Sequence, residues 1–390
     1  MSLDEIGNYR LLIRTLRFLG AWPVANGTNT SLARCSYRCF QILLQFTFTF
    51  IITFLLWLNA IWSSNFDKAM GVLKYAVSGI VLNVKVLNTT YYAPMASELL
   101  HEFEISTALA PETNTEQELW CRAQRVYRRV IIIYLIASNS VLAIAFLAFF
   151  FVEPRQLPVD IWIPDALRKY SLWPAYIYEV VAGPFSCVCN MCMDLFQCYL
   201  LLHLTLYLKL IGLRLERLSE SEENDETTKR LVKLIIMHRQ VKRMIKCCEE
   251  IISVPVLTQI TLSSLIICFT IYNLQNKSFA ENPIDFLATM IYTCIMSLQI
   301  LLPCYYANGI TAQAERLSHQ LYSCNWIDMS PYNRRLIFLF MRYLQQPIVL
   351  QAGNYFQIGL PIFTKTMNNA YTLLALILNV SKDGGSSCFN

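Results

Sequence analysis

Four histidines, His101, His203, His238 and His319, stand singly along a chain of 390 residues that also carries fourteen cysteines. Histidine and cysteine can ligate a metal or act as base and nucleophile, but both chemistries need partners at defined spacing. No histidine here has such a partner, and Cys187 and Cys189 lack the second pair that a zinc site takes. Cys187, Cys189, Cys192 and Cys198 share one apolar stretch with Met191 and Met193, while Cys268, Cys294 and Cys304 lie in others. Cysteine in such settings behaves as a small hydrophobe. His203, on an apolar face, reads as a packed helix residue. A P-loop, a glycine-rich dinucleotide turn and an HExxH helix are all missing from the sequence. The reading is therefore of a protein that is not an enzyme and takes no cofactor and no metal. Asp194 remains: an acid inside an apolar segment marks either function or a structural pair, and pairing is the reading adopted.

The elements that must position these residues are lipid-facing helices. The chain is 55% hydrophobic, 13% aromatic and 15% charged, with a mean hydropathy of +0.40, whereas a soluble domain carries about 25% charge. Seven apolar segments reach the ~20 residues that a bilayer crossing needs: 39–62, 69–94, 130–152, 174–208, 251–272, 284–307 and 345–380. The connecting pieces alternate in basic charge. The N-terminal piece and residues 98–130, 209–250 and 313–347 hold 23 Lys and Arg, and the alternate set holds 7. The positive-inside rule then puts the N-terminus in the cytoplasm, and seven crossings put the C-terminus outside. The predicted fold is an all-α membrane protein of seven transmembrane helices with a cytoplasmic helical anchor domain. No cleavable signal pattern opens the sequence; Arg10, Arg14 and Arg17 interrupt its leucines.

The expected organisation is a cytoplasmic segment 1–38, helices one to four over 39–208, cytoplasmic extensions with an acidic loop over 209–250, and helices five and six over 251–312. Anchor helices over 313–346, a last membrane helix over 347–380 and an extracellular tail 381–390 follow. "SESEENDE" at 219–226 is a solvated loop between two helices whose apolar stripes continue past the membrane. Asp328 or Ser330 would cap a fresh helix after the break at Ser330-Pro331. The orientation opposes that of G-protein-coupled receptors, and the predicted outer loops lack cysteine for their disulfide, so that alternative is disfavoured. A transporter would show an internal repeat or paired broken helices, and neither is seen. Basic residues follow topology rather than forming a nucleic-acid surface. Asn26 and Asn29 are sequons on the cytoplasmic side; Asn276, in a predicted outer loop, is the expected glycosylation acceptor.

The last ninety residues are specific. A Tyr/Cys-rich stretch precedes Gly309; Trp326, Arg334-Arg335, Pro347 with "QAGNYF", and Tyr371 in a terminal aliphatic helix follow. This pattern resembles the C-terminal signature of insect odorant receptors, and "DLF" at 194–196 resembles the family too. The resemblance implies a tetramer around a central pore, a seventh helix split into anchor and pore halves, and an odorant-gated cation channel. In that family an odorant-specific subunit assembles with a shared coreceptor in the plasma membrane of olfactory neurons. The gustatory relatives end in Thr-Tyr and then Gln-Phe. Ala370 stands here for that Thr, and Ile377 and Leu378 for the Gln-Phe, which favours the odorant branch over a gustatory subunit. The coreceptor keeps Gln where Ile377 stands, so an odorant-specific subunit is implied.

By family register from Tyr371, the constriction falls on Leu374 and Leu378, with Ile377 on the neighbouring stripe. Leu374 and Leu378 share one helix face; one such helix alone is equally an inert anchor, whereas a ring of four would close a pore by dewetting. Asn368, Asn369 and Asn379 would offer polar groups to ions. For the odorant, the resemblance points to Leu301, Leu302, Tyr305 and Tyr306 on helix six, although adjacent tyrosines could also serve core or interface. Depth and spacing add Val77, Ile80, Val81 and Val84 on helix two, Ser138, Val141 and Ala145 on helix three, and Ile177 and Val181 on helix four. The expected partners are a coreceptor, a small volatile odorant and membrane lipid.

Overall fold

In a bilayer, backbone N–H and C=O groups must be satisfied within the segment, which forces long apolar runs into helices. The structure, a computed structural model, describes residues 8–22, 31–63, 66–151, 157–164, 171–218, 224–275 and 283–386. A short α1 (Asn8–Phe18) precedes α2 (Ser31–Gln45). α2 runs through a π-helical turn, Phe46–Phe50, directly into α3 (Ile51–Trp62). Then come α4 (Phe66–Ile105), α5 (Asn114–Phe151), α6 (Trp173–Glu216), α7 (Asn224–Gln275) and α8 (Pro283–Ser323). α9 (Pro331–Leu344), a two-stranded hairpin of β1 (Gln351–Ala352) and β2 (Phe356–Gln357), and α10 (Leu360–Ser386) complete the order.

Six of these elements, counted among the described residues, are long and apolar enough to cross a membrane: α2–α3 as one unit, and α4 to α8. α10 falls short of that measure because Lys365, Asn368 and Asn369 dilute its aliphatic run. The protein is nearly all-helical and multi-pass. At 1.5 Å per residue the 44 residues of α6 measure about 66 Å and the 52 of α7 about 78 Å. A hydrocarbon core of ~30 Å leaves much of both outside it.

The seventh apolar segment, expected over 345–380 with its membrane helix from 347, does not run as one helix. Residues 345–350 leave helical geometry, the hairpin follows, and α10 begins only at Leu360. Pro347 opposes helix continuation. Gly353 and Asn354 both take positive φ, 58° and 61°, the geometry of a tight hairpin turn. The hairpin is held to α7: the Gln351 N–H donates to Glu249 Oε1 at 2.8 Å and the Gly353 N–H to Ser253 Oγ at 2.7 Å.

α6 is the central post. Every residue from Met191 to Leu208 is buried, as expected of a helix that is apolar all round. It lies along α8, while α4 lies along α7. His203 packs inside this post, its ring nitrogens within 3.1 Å of Gln124 Nε2 and of the Tyr199 carbonyl. Near the end of α6, Arg214 clamps the α4–α5 connection. Its guanidinium donates to the carbonyls of Ala108 at 2.7 Å and Ala110 at 2.5 Å, and to Glu116 at 2.9 Å.

Ser330 caps α9, accepting the Asn333 N–H at 3.3 Å with Pro331 at the first helical position. Buried Ile337, Phe340 and Leu344 turn α9 toward the platform of long helices. There the His238 ring meets Phe340 and Tyr343, both at 5.7 Å. His238 lies in the first half of α7, ahead of its apolar membrane stretch. Burial, and secondly the nearby Lys242 charge, push its imidazole down to about 4.

Candidate functional site: a chamber above a buried ion pair

The walls of the chamber come from five helices. A cavity of about 200 Å³ lies among α3, α4, α5, α6 and α8. α3 contributes Ile52, Thr53 and Leu56; α4 contributes Tyr75, Ser78, Gly79 and Leu82. Gly79 permits this approach, since a Cβ there would come within 2.5 Å of Thr53 Oγ1. α5 supplies Tyr134, Ser138, Val141, Leu142, Ala145 and Phe146, and α8 supplies Tyr292, Ile295, Met296 and Gln299. α6 lines it with a stripe of small and polar residues, Glu179, Gly183, Ser186 and Asn190, at one-turn and two-turn intervals.

The π turn positions the α3 wall. A π turn shifts hydrogen bonding to i→i+5 and offers carbonyls to outside donors. Two hydroxyls of α6 donate to carbonyls in this turn: Tyr178 to Thr47 at 2.6 Å and Ser186 to Phe48 at 2.6 Å.

Residues 157–164 form the roof. Pro158 and Val159 line the cavity. The Trp162 N–H donates to the Leu55 carbonyl at 3.3 Å, Asn59 Nδ2 donates to the Asp160 carbonyl at 2.6 Å, and the rings of Trp62 and Trp162 lie 5.7 Å apart. The Val159 N–H donates to Glu179 Oε2 at 3.3 Å.

The floor is an ion pair. Lys85 Nζ sits 2.6 Å from Asp194 Oδ1, with side chains 1% and 5% exposed. Both members are tied to cavity-lining residues: Lys85 donates to Asn190 Oδ1 at 2.9 Å, and Gln299 Nε2 donates to Asp194 Oδ2 at 2.7 Å. The acid singled out in the sequence is thus paired, and its pair joins α4, α6 and α8 beneath the chamber.

The candidate residues fall unevenly on this geometry. Ser138, Val141 and Ala145 line the chamber. Val77 and Val81 are buried in the main core instead, and Ile80 and Val84 are half-buried, because α4 presents the adjacent face. Ile177 and Val181 are 59% and 49% exposed, on the outside of α6. Leu301, Leu302, Tyr305 and Tyr306 stand too far along α8, whose chamber residues begin at Tyr292. Tyr305 and Tyr306 line a separate open cleft of about 820 Å³, together with Arg122 of α5 and Lys209 of α6. Sequence reasoning missed Glu179, Asn190 and Gln299. The available signal was polar residues at helical spacing within apolar runs.

On α10, Leu374 is buried against Cys268 and Tyr272 of α7, with Ile377 and Leu378 half-buried in the same cluster. The face shared by Leu374 and Leu378 is therefore turned toward the chain's own bundle. The stripe left open carries Asn368, Thr372, Ala375, Leu376 and Asn379, with Asn369 beside it. Asn276, Asn26 and Asn29 lie outside the described residues.

A multi-pass helical membrane protein with an apolar cavity of small-molecule size between its helices is the class that fold and site define. The sequence matches the family profile described as 7tm Odorant receptor over residues 65–371. It is 36% identical over 384 residues to Odorant receptor 94a of Drosophila melanogaster, covering 97% of this chain and 98% of that protein. Odorant receptor 46a, isoform A, of the same fly is 22% identical over 94% of this chain and 96% of its own length. Among solved structures, the insect olfactory receptor OR5 from Machilis hrabei superposes with a TM-score of 0.80 at 18% identity, covering 97% of this chain and 99% of that one. The same receptor in complex with eugenol gives a TM-score of 0.80 at 19% identity, covering 95% of this chain and 97% of that one. The chain belongs to the odorant receptor family: it is a transmembrane receptor of olfaction and not an enzyme.

Proposed function

We propose that this protein is an odorant-specific subunit of a ligand-gated, weakly selective cation channel, working with a shared coreceptor in the plasma membrane of olfactory neurons. The observation that carries the reading is the largely apolar cavity among α3–α6 and α8 in a chain of this family. Its volume suits a small volatile rather than a drug-sized ligand. OR5, whose fold this chain shares, binds eugenol in its solved complex, which supports the same kind of ligand here. In this reading α10 is a seventh crossing, the N-terminus is cytoplasmic and the C-terminus is outside.

Subunits assemble around a central axis with α10 innermost. The polar stripe of Asn368, Asn369 and Asn379 faces the aqueous path with exposed Leu376, and the band of Leu374, Ile377 and Leu378, packed on α7 behind that face, sets how closely the four helices constrict. Leu374, seated on α7, transmits displacement of that helix to the band. An odorant gates by binding the open arrangement more tightly than the closed one. The test is current recorded with and without coreceptor across an odorant panel. Leu378→Ala should raise basal current in coexpressing cells; unchanged basal current would overturn the assignment of the constriction. Tags at each terminus, probed in intact cells, test the orientation.

A further inference from the structure

We propose, resting on the reading of the chamber as the odorant site, that it selects volatiles bearing a hydroxyl group, anchored by Glu179 and Ser138. Both side chains line the chamber, and both residues are all but inaccessible, at 1% and 4% exposure. Glu179 uses one oxygen, Oε2, to hold the Val159 N–H of the roof. Its other oxygen, Oε1, has no hydrogen-bond partner among the described residues, and neither does Ser138 Oγ. Buried polar atoms are almost always paired, and leaving them dry is costly. With the Tyr292 hydroxyl, also unpartnered among the described residues, three orphans belong to residues lining one otherwise largely apolar chamber, a demand that an occupant must meet.

The chemistry of the pair narrows that occupant. A hydroxyl both donates and accepts, so a ligand hydroxyl meets Ser138 and meets Glu179 Oε1 whether that buried carboxyl is charged or neutral. It donates its proton to Glu179 Oε1 when the carboxyl is charged and accepts from Ser138. A hydrocarbon meets neither group. About 200 Å³ is the liquid share of roughly seven waters at ~30 Å³ each, space for a ring or short chain carrying one such group. The hydroxyl would also touch the carboxyl that tethers the roof, so binding bears directly on the segment covering the chamber.

The test compares isosteres in which only hydroxyl and methyl are exchanged: phenol with toluene, and benzyl alcohol with ethylbenzene. Purified full-length receptor is titrated with each, and apparent affinity is read from the concentration dependence of thermal stabilisation. The hydroxyl member should bind at least roughly tenfold tighter than its isostere, since a site built around a hydrogen bond rejects an analogue that lacks it. Glu179→Met should bring the ratio to about one. Glu179→Gln, which keeps an acceptor for Val159, should recover part of the ratio; a purely structural role would move both members equally. Ser138→Ala should lower the ratio on its own and carries the test if Glu179→Met does not fold. Equal binding within pairs, or a ratio that survives Glu179→Met, overturns the hydroxyl assignment and leaves the odorant site standing. Preference for benzylamine over benzyl alcohol overturns it too. No stabilisation by any compound overturns both the assignment and the odorant-site reading.

Discussion

Replacing Asp194 with leucine leaves the Lys85 ammonium buried in the middle of the bundle with Asn190 Oδ1 at 2.9 Å and its counter-ion gone. Breaking a buried pair from one side costs about 3–5 kcal/mol, because an uncompensated charge remains. Insertion scales for a charge at a helix centre, about 2.5–3.5 kcal/mol, fall in the same range. Lys85→Met exposes the converse: Asp194 keeps Gln299 at 2.7 Å and loses its cation. The double variant Lys85→Met/Asp194→Leu removes both charges together. Its loss is confined to the partners left behind: Asn190 and Gln299 each forfeit a bond worth roughly 1–2 kcal/mol, so the total is about 2–4 kcal/mol. The singles sum to about 6–10 kcal/mol, which makes the coupling about 2–8 kcal/mol. Denaturant unfolding of the purified receptor in matched micelles reads all four corners of the cycle. Losses that add to within about 0.5 kcal/mol, the behaviour of independent sites, would refute the pairing of these two residues across α4 and α6.

Two further outcomes follow from the platform and the hairpin. His238 is held neutral down to about 4 by burial and by Lys242, while a solvated histidine titrates near 6.5. The unfolded chain therefore takes up the proton first, and stability, complete above about 6.5, should decline as pH falls toward 4. His238→Phe should flatten thermal stability measured across that window, and an unchanged slope would count against the neutral ring. Gly353 combines a φ of +58° with a Cβ position only 2.4 Å from Leu257 Cδ2. Gly353→Ala should lower unfolding stability by about 1–3 kcal/mol, the usual cost of such strain, with reduced surface expression as the cellular readout; wild-type stability would contradict the hairpin geometry.

Helices in lipid are announced by composition, which is why six of the seven segments read as crossings are, among the described residues, helices long and apolar enough for one, and why the length of α6 and α7 and the start of α9 at Ser330 were legible in the sequence. Burial of Asp194 in a pair was legible for the same reason, although its partner was not. Lys85 lies in another helix, and only packing brings it to 2.6 Å. The chamber was harder. Depth and spacing chose Ser138, Val141 and Ala145, which lie on the face of α5 that lines the chamber. The same criteria chose Ile177 and Val181, which face outward, because in a membrane helix the lipid face is as apolar as the core. Hydrophobicity then loses its power to tell inside from outside, and the polar stripe of Glu179, Ser186 and Asn190 was the better guide. The hairpin at 351–357 escaped notice because its flanks are aliphatic on both sides and continue the apolar run.

The widened turn at Phe46–Phe50 has a consequence for how this wall can change. Its carbonyls are committed to Tyr178 and Ser186, so α2 is fixed on one side and α3 begins from a set azimuth. Five residues of a π turn cover about the arc that four cover at the ~100° per residue of an α-helix, so losing one codon there would restore ordinary winding and leave α3 on nearly the same azimuth. Ile52, Thr53 and Leu56 would keep facing the chamber, while the carbonyls held by Tyr178 and Ser186 would be drawn back into the helix's own ladder. A single in-frame deletion would thereby unfasten this wall from α6 in one mutational step, without exchanging any residue that lines the binding space.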